Sequence, residues 1–230
     1  MTRQYSLPLP FREAMGADDF MVTGSNAEAV AWLDKWPEWP SHCLIIHGPP
    51  GSGKTHLDHV WLARSHGRPL VLDELKSQDL GSLTMNNRTI AIDNADKAAG
   101  HASLEEGLFH LYNLLGEIKG HLLLTAAKPV AQWGIRLADL RSRLLSVPSA
   151  ALAPPDDILL SALLIKQFRD RQIDISMDVV EYLLPRVTRT PGAIRDTVIA
   201  LDRASLSEGR GITVALARRF LEEQRAAKSN

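Results

Sequence analysis

One eight-residue stretch constrains this chain more than any other. Gly48-Pro49-Pro50-Gly51-Ser52-Gly53-Lys54-Thr55 fits the pattern G-x-x-x-x-G-K-[ST] without a mismatch. It follows the apolar run Leu44-Ile45-Ile46 and opens a segment of helical character, the strand-loop-helix setting that a phosphate-binding loop needs. Its glycines let the backbone curl until successive N–H groups face an anion, and the helix opening near Gly53 adds the positive end of its dipole. Lys54 then reaches the β- and γ-phosphates, and the Thr55 hydroxyl serves a magnesium ion shared with them. The expected ligand is a nucleoside phosphate with Mg2+.

A second motif lies downstream. Thr89-Ile90-Ala91-Ile92-Asp93-Asn94 reads as a buried strand ending in a carboxylate, the Walker B arrangement that sets Asp93 beside the magnesium. Many ATPases of this kind place a Glu after that Asp to deprotonate the attacking water. Here the residue is Asn94, whose amide positions water but accepts no proton, so intrinsic hydrolysis is expected to be slow. Asp96 is an acid nearby, expected to have left the strand and to point elsewhere. His121 to Thr125 is a further strand, and Thr125 at its tip either senses the γ-phosphate through its hydroxyl or simply caps the strand.

Between these motifs the pattern alternates strand and helix. Pro69 to Asp73 reads as another buried strand, and Ser103 to Glu106 as a capping box opening a helix through Leu108, Leu111, Leu115 and Ile118. Residues 18 to 26 lead into a helix containing Ala29, Val30, Trp32 and Leu33, with Ser25 or Asn26 as its cap. Trp36-Pro37-Glu38-Trp39-Pro40 is a rigid turn whose tryptophans are expected to pack rather than stack on bases. Together these elements predict an α/β fold with a parallel, doubly wound sheet and its chemistry at the strand C-termini. Leu140 to Leu144 carries Arg141 and Arg143 on a short helix, either as a solvated pair or with one reaching a neighbour's nucleotide.

Pro148 to Pro155 marks a break, after which the pattern is wholly helical. One helix follows Asp156, a second spans Asp178 to Leu184, a third runs from Pro191 to Ala204, and a fourth from Thr213 to Leu221. Arg195 in the third either folds back onto nucleotide phosphates or pairs with Asp196. His56 and His59 share a helix face, but no third ligand lies near in sequence, so a metal site there is not expected.

Composition excludes several functions. With 45% hydrophobic and 23% charged residues over 230 positions, the chain suffices for one large domain or two small ones. A net charge of −1 and the lack of a basic patch argue against direct sequence-specific DNA binding. The lone Cys43 excludes an internal disulfide and suits a reducing cytosol, and no run has the length of a membrane span or the form of a signal peptide. A cytoplasmic protein without a membrane partner is expected. Residues 1 to 12 hold Tyr5, Leu7, Leu9 and Phe11 between prolines, an extended arm that either docks in a partner's pocket or packs on its own domain.

These parts resemble the AAA+ ATPases. Gly53-Lys54-Thr55-His56-Leu57, Leu140-Arg141-Ser142-Arg143-Leu144, Pro154-Pro155 and Gly192-Ala193-Ile194-Arg195 are similar to the P-loop, box VII, lid entry and sensor II of the bacterial replication-initiator (DnaA) branch, over residues 18 to 223. Two departures narrow the resemblance. The chain stops after the lid, without room for a helix-turn-helix domain. And Gln4-Tyr5-Ser6-Leu7-Pro8-Leu9 resembles the sliding-clamp-binding hexapeptide, with Gln4, Leu7 and Leu9 as anchors and Tyr5 where Leu is commoner. With Asp93-Asn94 in place of an acidic pair, these features resemble the regulatory inactivators of DnaA.

The resemblance implies an arm over 1–12, an AAA+ nucleotide-binding domain over 13–153 and an all-helical lid over 154–230. It implies bound ADP or ATP with Mg2+, with His56, Thr125 and Arg195 joining the P-loop around the phosphates, and Phe20, Val22 and Gly24 to Asn26 near the adenine. The implied partners are the DNA polymerase III beta sliding clamp and the DnaA initiator, to whose ATP Arg143 is presented as an arginine finger in trans. Self-association stays open, as do two other roles: an autonomous ATPase or loader, and a nucleotide-gated adaptor that stimulates no hydrolysis.

Overall fold

Side-chain alternation along the first strand sets the layers. In β1 (Cys43–His47), Cys43 and Ile45 join one hydrophobic cluster while Leu44 and Ile46 join another, and all four are fully buried. A strand apolar on both faces needs cover on both, which a parallel sheet with crossover helices supplies. The computed structural model describes residues 21–76, 79–85 and 87–228, with side-chain environments through residue 224. Gln4 to Leu9 and Phe20 lie outside the described residues.

The sheet contains β1, β2 (Arg68–Pro69), β3 (Thr89–Ile92), β4 (His121–Ala126) and β5 (Ser149–Ala151) in the order β2-β3-β4-β1-β5, every pairing parallel. His47 pairs with Ala126 and Ile92 with Leu124, so β1, β3 and β4 end together at one edge. On one face, α1 (Ala27–Asp34) and α2 (Lys54–Ser65) bring Val30, Leu33, Leu57 and Trp61 onto Leu44, Ile46 and Leu123. Trp61 stacks on Trp39 with ring centroids 5.5 Å apart and meets Trp36 edge-on at 6.1 Å. On the other face, α3 (Leu80–Met85), α4 (Ala102–Glu117) and α5 (Ala138–Ser146) cover Ile45, Ile90, Ile92 and Leu122.

Four local expectations need correction. The strand read over Pro69 to Asp73 stops at Pro69, apart from the Leu70 N–H donating to Ala91 at 2.8 Å. The next donor, Val71 N–H, is taken by the Glu74 carboxylate at 2.9 Å, and the chain winds into a 3-10 turn, Leu72–Lys76. Inside the segment read as a break, Ser149–Ala151 pairs with Ile45 to His47 as an edge strand. Asn26 sits at the α1 cap position, but its amide turns backward, accepting from Thr23 N–H at 2.8 Å and donating to the Met21 carbonyl at 2.9 Å. α4 begins at Ala102, so Ser103 caps nothing.

The residue that organises the start of α4 is instead Glu105, which is 2% exposed. Its carboxylate accepts from Gly100 N–H at 2.7 Å, Leu137 N–H at 2.8 Å and Arg136 N–H at 3.1 Å. Burial pushes the acid up, yet these backbone donors outweigh it and the net shift is downward.

The chain divides into two compact units, Met1–Ala153 and Pro154–Asn230. The second is a bundle of α6 (Asp157–Arg169), α7 (Met177–Leu183), α8 (Pro191–Glu208) and α9 (Val214–Lys228) around Leu164, Phe168, Leu183, Val198 and Leu201. Short-range caps start three of these helices. Asp156 accepts from Leu159 N–H, Thr190 from Ala193 N–H and Thr213 from Leu216 N–H.

Replacing Glu105 with Ala leaves N–H groups on two separate segments without their acceptor. Such a loss is expected to cost ~2–5 kcal/mol in urea unfolding, with Glu105→Gln recovering part of it through its side-chain carbonyl.

Candidate nucleotide and cation site

The P-loop leaves the end of β1 and turns into α2 at the edge where β3 and β4 also end. A side chain at Gly48 would not fit, since a Cβ there would lie 2.4 Å from the Leu152 carbonyl, where the chain passes on from β5. Gly53, at the head of α2, has φ +102°, which a side chain rarely adopts. Lys54 is buried and folds over the loop, its Nζ donating to the carbonyls of Gly48 at 2.7 Å and Pro49 at 2.9 Å. Burial lowers the pKa of this ammonium, and the carboxylates of Asp93, Asp96 and Asp58 offset part of the shift.

Asp93 follows β3 directly and is held from two sides. Thr55 Oγ donates to its Oδ2 at 2.7 Å, and Thr125 Oγ donates to its Oδ1. Thr125 is fully buried, and the same oxygen accepts from Asn94 N–H at 3.1 Å. Of the two readings left open for Thr125, this geometry is the one that ties strand ends together. Asn94 has φ 55° and heads a 3-10 turn, Ala95–Ala98. Asp96 has left the strand, as expected, and lies in that turn, reaching back toward β4. Its Oδ2 accepts from Ala127 N–H, just beyond β4, at 3.3 Å, and its charge acts on Lys54.

Sequence reasoning missed Asp58. It lies one turn beyond Thr55 on α2, between Leu57 and Val60, and is 3% exposed. Among the described residues neither of its oxygens has a hydrogen-bond partner, because the single Thr125 proton goes to Asp93. Burial, with Asp93 alongside, pushes the Asp58 acid up to about 8, while Lys54 pulls it back only in part. The one signal available in sequence was an acid inside the apolar pattern of a P-loop helix.

A cavity of about 320 Å³ opens here, walled by Thr55, Asp58, Asp93, Asn94 and, farther along, Leu70 and Val71. The residues fit a nucleotide with its cation. Ser52 Oγ is buried in the loop without a protein partner, and Thr55 and Asp93 offer Mg2+ the hard oxygens it takes.

His56 and His59 are exposed, and among the described residues no three His, Cys, Asp or Glu side chains gather as a metal site. Val22 packs against the α1/α2 core. Arg141 and Arg143 are exposed on α5, with the Arg143 guanidinium 5.5 Å from the Phe109 ring centroid and 5.9 Å from that of Tyr112. In the second unit Arg195 is exposed on α8, its Nε 3.8 Å from Asp196. Among the described residues no helix is long and apolar enough to cross a membrane.

A five-stranded parallel sheet with this loop and a following helical unit is the architecture of the AAA+ module. Domain III of the replication initiation protein DnaA from Thermotoga maritima is similar at 20% identity over 94% of this chain and 98% of that one, with a TM-score of 0.75. AMPPCP-bound DnaA from Aquifex aeolicus is similar at 16% identity over 95% of this chain and 71% of that one, with a TM-score of 0.73. A Thermotoga maritima RuvB variant follows at 17% identity, 78% and 60% coverage, and a TM-score of 0.62. These likenesses are of fold. Residues 157–221 match the family model described as Hda, lid domain. The fold is thus that of the DnaA-like AAA+ module, with a match to the Hda lid domain confined to the second unit.

Between pH 3.8 and about 8 the unfolded chain has lost the Asp58 proton while the native state keeps it. Native stability should therefore fall as pH rises, by up to ~1.4 kcal/mol per pH unit from this group. In EDTA, the stability difference between Asp58→Asn and the unsubstituted protein should widen in the variant's favour across that window and level off above it. Urea midpoints at pH 5, 6.5 and 8 measure this.

Proposed function

We propose that this protein is an adenine-nucleotide-bound regulator of replication initiation that promotes hydrolysis of ATP held by DnaA, presenting Arg143 as a finger in trans. The observation that carries the reading is the exposed Arg143 on α5, resting on two aromatic rings, in a chain whose own P-loop site has Asn94 where a water-activating acid belongs. The Hda lid match and the DnaA-like fold support it.

In this reading the P-loop holds the phosphates, Lys54 exchanges its loop carbonyls for phosphate oxygens, and Thr55 and Asp93 hold the cation. Mg2+, when bound, neutralises charge on the β- and γ-phosphates. Asn94 orients water without taking its proton, so the protein's own nucleotide persists and serves as a structural ligand. The reactive contribution goes to the partner. A guanidinium placed on the transferring phosphoryl group stabilises charge that develops only in the transition state. Phe109 and Tyr112 limit the orientations open to Arg143 before the partner arrives. Docking on the sliding clamp is assigned to Gln4 through Leu9, on the sequence alone.

Two experiments test this. On loaded clamps, Arg143→Ala should lower stimulation of DnaA-bound ATP hydrolysis by ~10³-fold or more, with Arg143→Lys recovering little because it lacks the planar fork. Unchanged stimulation would end the finger assignment, and brisk ATP turnover by the isolated protein would favour an autonomous motor. Separately, Gln4→Ala combined with Leu7→Ala should abolish capture by immobilised clamp while leaving nucleotide affinity as it was. Capture at the original level would remove the arm from the mechanism.

A further inference from the structure

Asp58 poses a physical problem that the P-loop does not explain. A carboxylate buried without a partner costs several kcal/mol, and buried polar groups are otherwise almost always satisfied. This one is 3% exposed, has no hydrogen-bond partner among the described residues, and lines the same cavity as Thr55, Asp93 and Asn94. The nearest buried cation does not resolve the imbalance, because the Lys54 ammonium is engaged by the carbonyls of Gly48 and Pro49. Both aspartates therefore line one cavity, and neither carboxylate is hydrogen-bonded to a basic side chain.

The donors point to the kind of cation that answers this. They are two carboxylates, the Thr55 hydroxyl and the Asn94 amide, all hard oxygens on residues that line a cavity roomy enough for coordinated water. His59 and Asp73 line the same cavity, but among the described residues no three His, Cys, Asp or Glu side chains gather closely enough to hold a metal, which argues against zinc or another metal bound by nitrogen or sulfur. An ordinary P-loop presents one carboxylate and one hydroxyl, and relies on nucleotide phosphates to complete the magnesium site. Here a second carboxylate is built in.

We propose that Asp58, with Asp93 and Thr55, gives this protein a divalent-cation site that fills before nucleotide binds. The cation joins α2 to the end of β3 and meets incoming phosphates already in place. The inference rests on the assignment of Thr55 and Asp93 as cation ligands and is independent of Arg143 and of the clamp.

The test is a titration of Mn2+ into the nucleotide-free, full-length protein at pH 8.5, followed by the loss of the free-ion EPR signal. One Mn2+ per chain, displaced by Mg2+, is expected. Asp58→Asn and Asp93→Asn should each weaken binding at least ~10-fold, and Mn2+ should raise the melting temperature of the unsubstituted protein but not of Asp58→Asn. Melting in EDTA establishes that each variant is folded. Should Asp58→Asn not melt cooperatively, Asp58→Leu, which extends the flanking apolar pattern, replaces it. Failure of the unsubstituted protein to bind Mn2+, or Asp58→Asn binding with unchanged affinity, overturns the inference. Fluorescent ADP added to the same preparation separates the two claims. Binding of ADP without prior Mn2+ binding sinks the cation site alone, whereas no ADP binding with or without Mn2+ sinks the nucleotide site as well.

Discussion

The carboxylate of Asp93 holds three elements at one point. Thr55 reaches it from α2 and Thr125 from β4, while the residue itself ends β3 and passes Asn94 N–H back to Thr125. Each bond is short-range in space and long-range in sequence, so none forms until the sheet has assembled in register. Once formed, they fix where the P-loop stands relative to the strand ends. Thr55, Lys54 and Asp58 gather around that anchor.

The anchor also accounts for the distribution of charge. Asp93, Asp96 and Asp58 all act on the same lysine, and its burial makes each interaction count for more than it would in water. Asn94 belongs to the same economy: exchanging an acid for an amide removes a proton acceptor while keeping a polar group where water would be held.

A second clamp acts at the start of α4. Glu105 gathers N–H groups from the turn after β3 and from the approach to α5, so the base of the arginine-bearing helix is fastened to the segment that leaves Asp93. α5 has no side-chain cap of its own. Its placement therefore depends on a residue more than thirty positions upstream, and the ring faces of Phe109 and Tyr112 on the same α4 receive Arg143.

Features with local causes were legible in the residues themselves. The P-loop announces itself because its glycines, lysine and threonine act within one turn. The apolar runs at 43–47, 89–92 and 121–126 read as strands because both of their faces are buried. Asp156, Thr190 and Thr213 mark helix starts because a cap bonds to a donor three residues on. Other features have distant causes and were not legible. β5 is three residues long and exists because β1 offers it a partner, and β2 stops where Glu74 intercepts a donor. The burial of Asp58, the return of Asp96 and the clamp by Glu105 depend on groups brought together only by the fold. Sequence alone determined which residues can bind phosphate and which segments become strand or helix, since those follow from backbone and side-chain chemistry over a few residues. Tertiary structure alone decided which carboxylates lose water and what they face, because desolvation and hydrogen-bond partners belong to the packed chain and to no single segment of it.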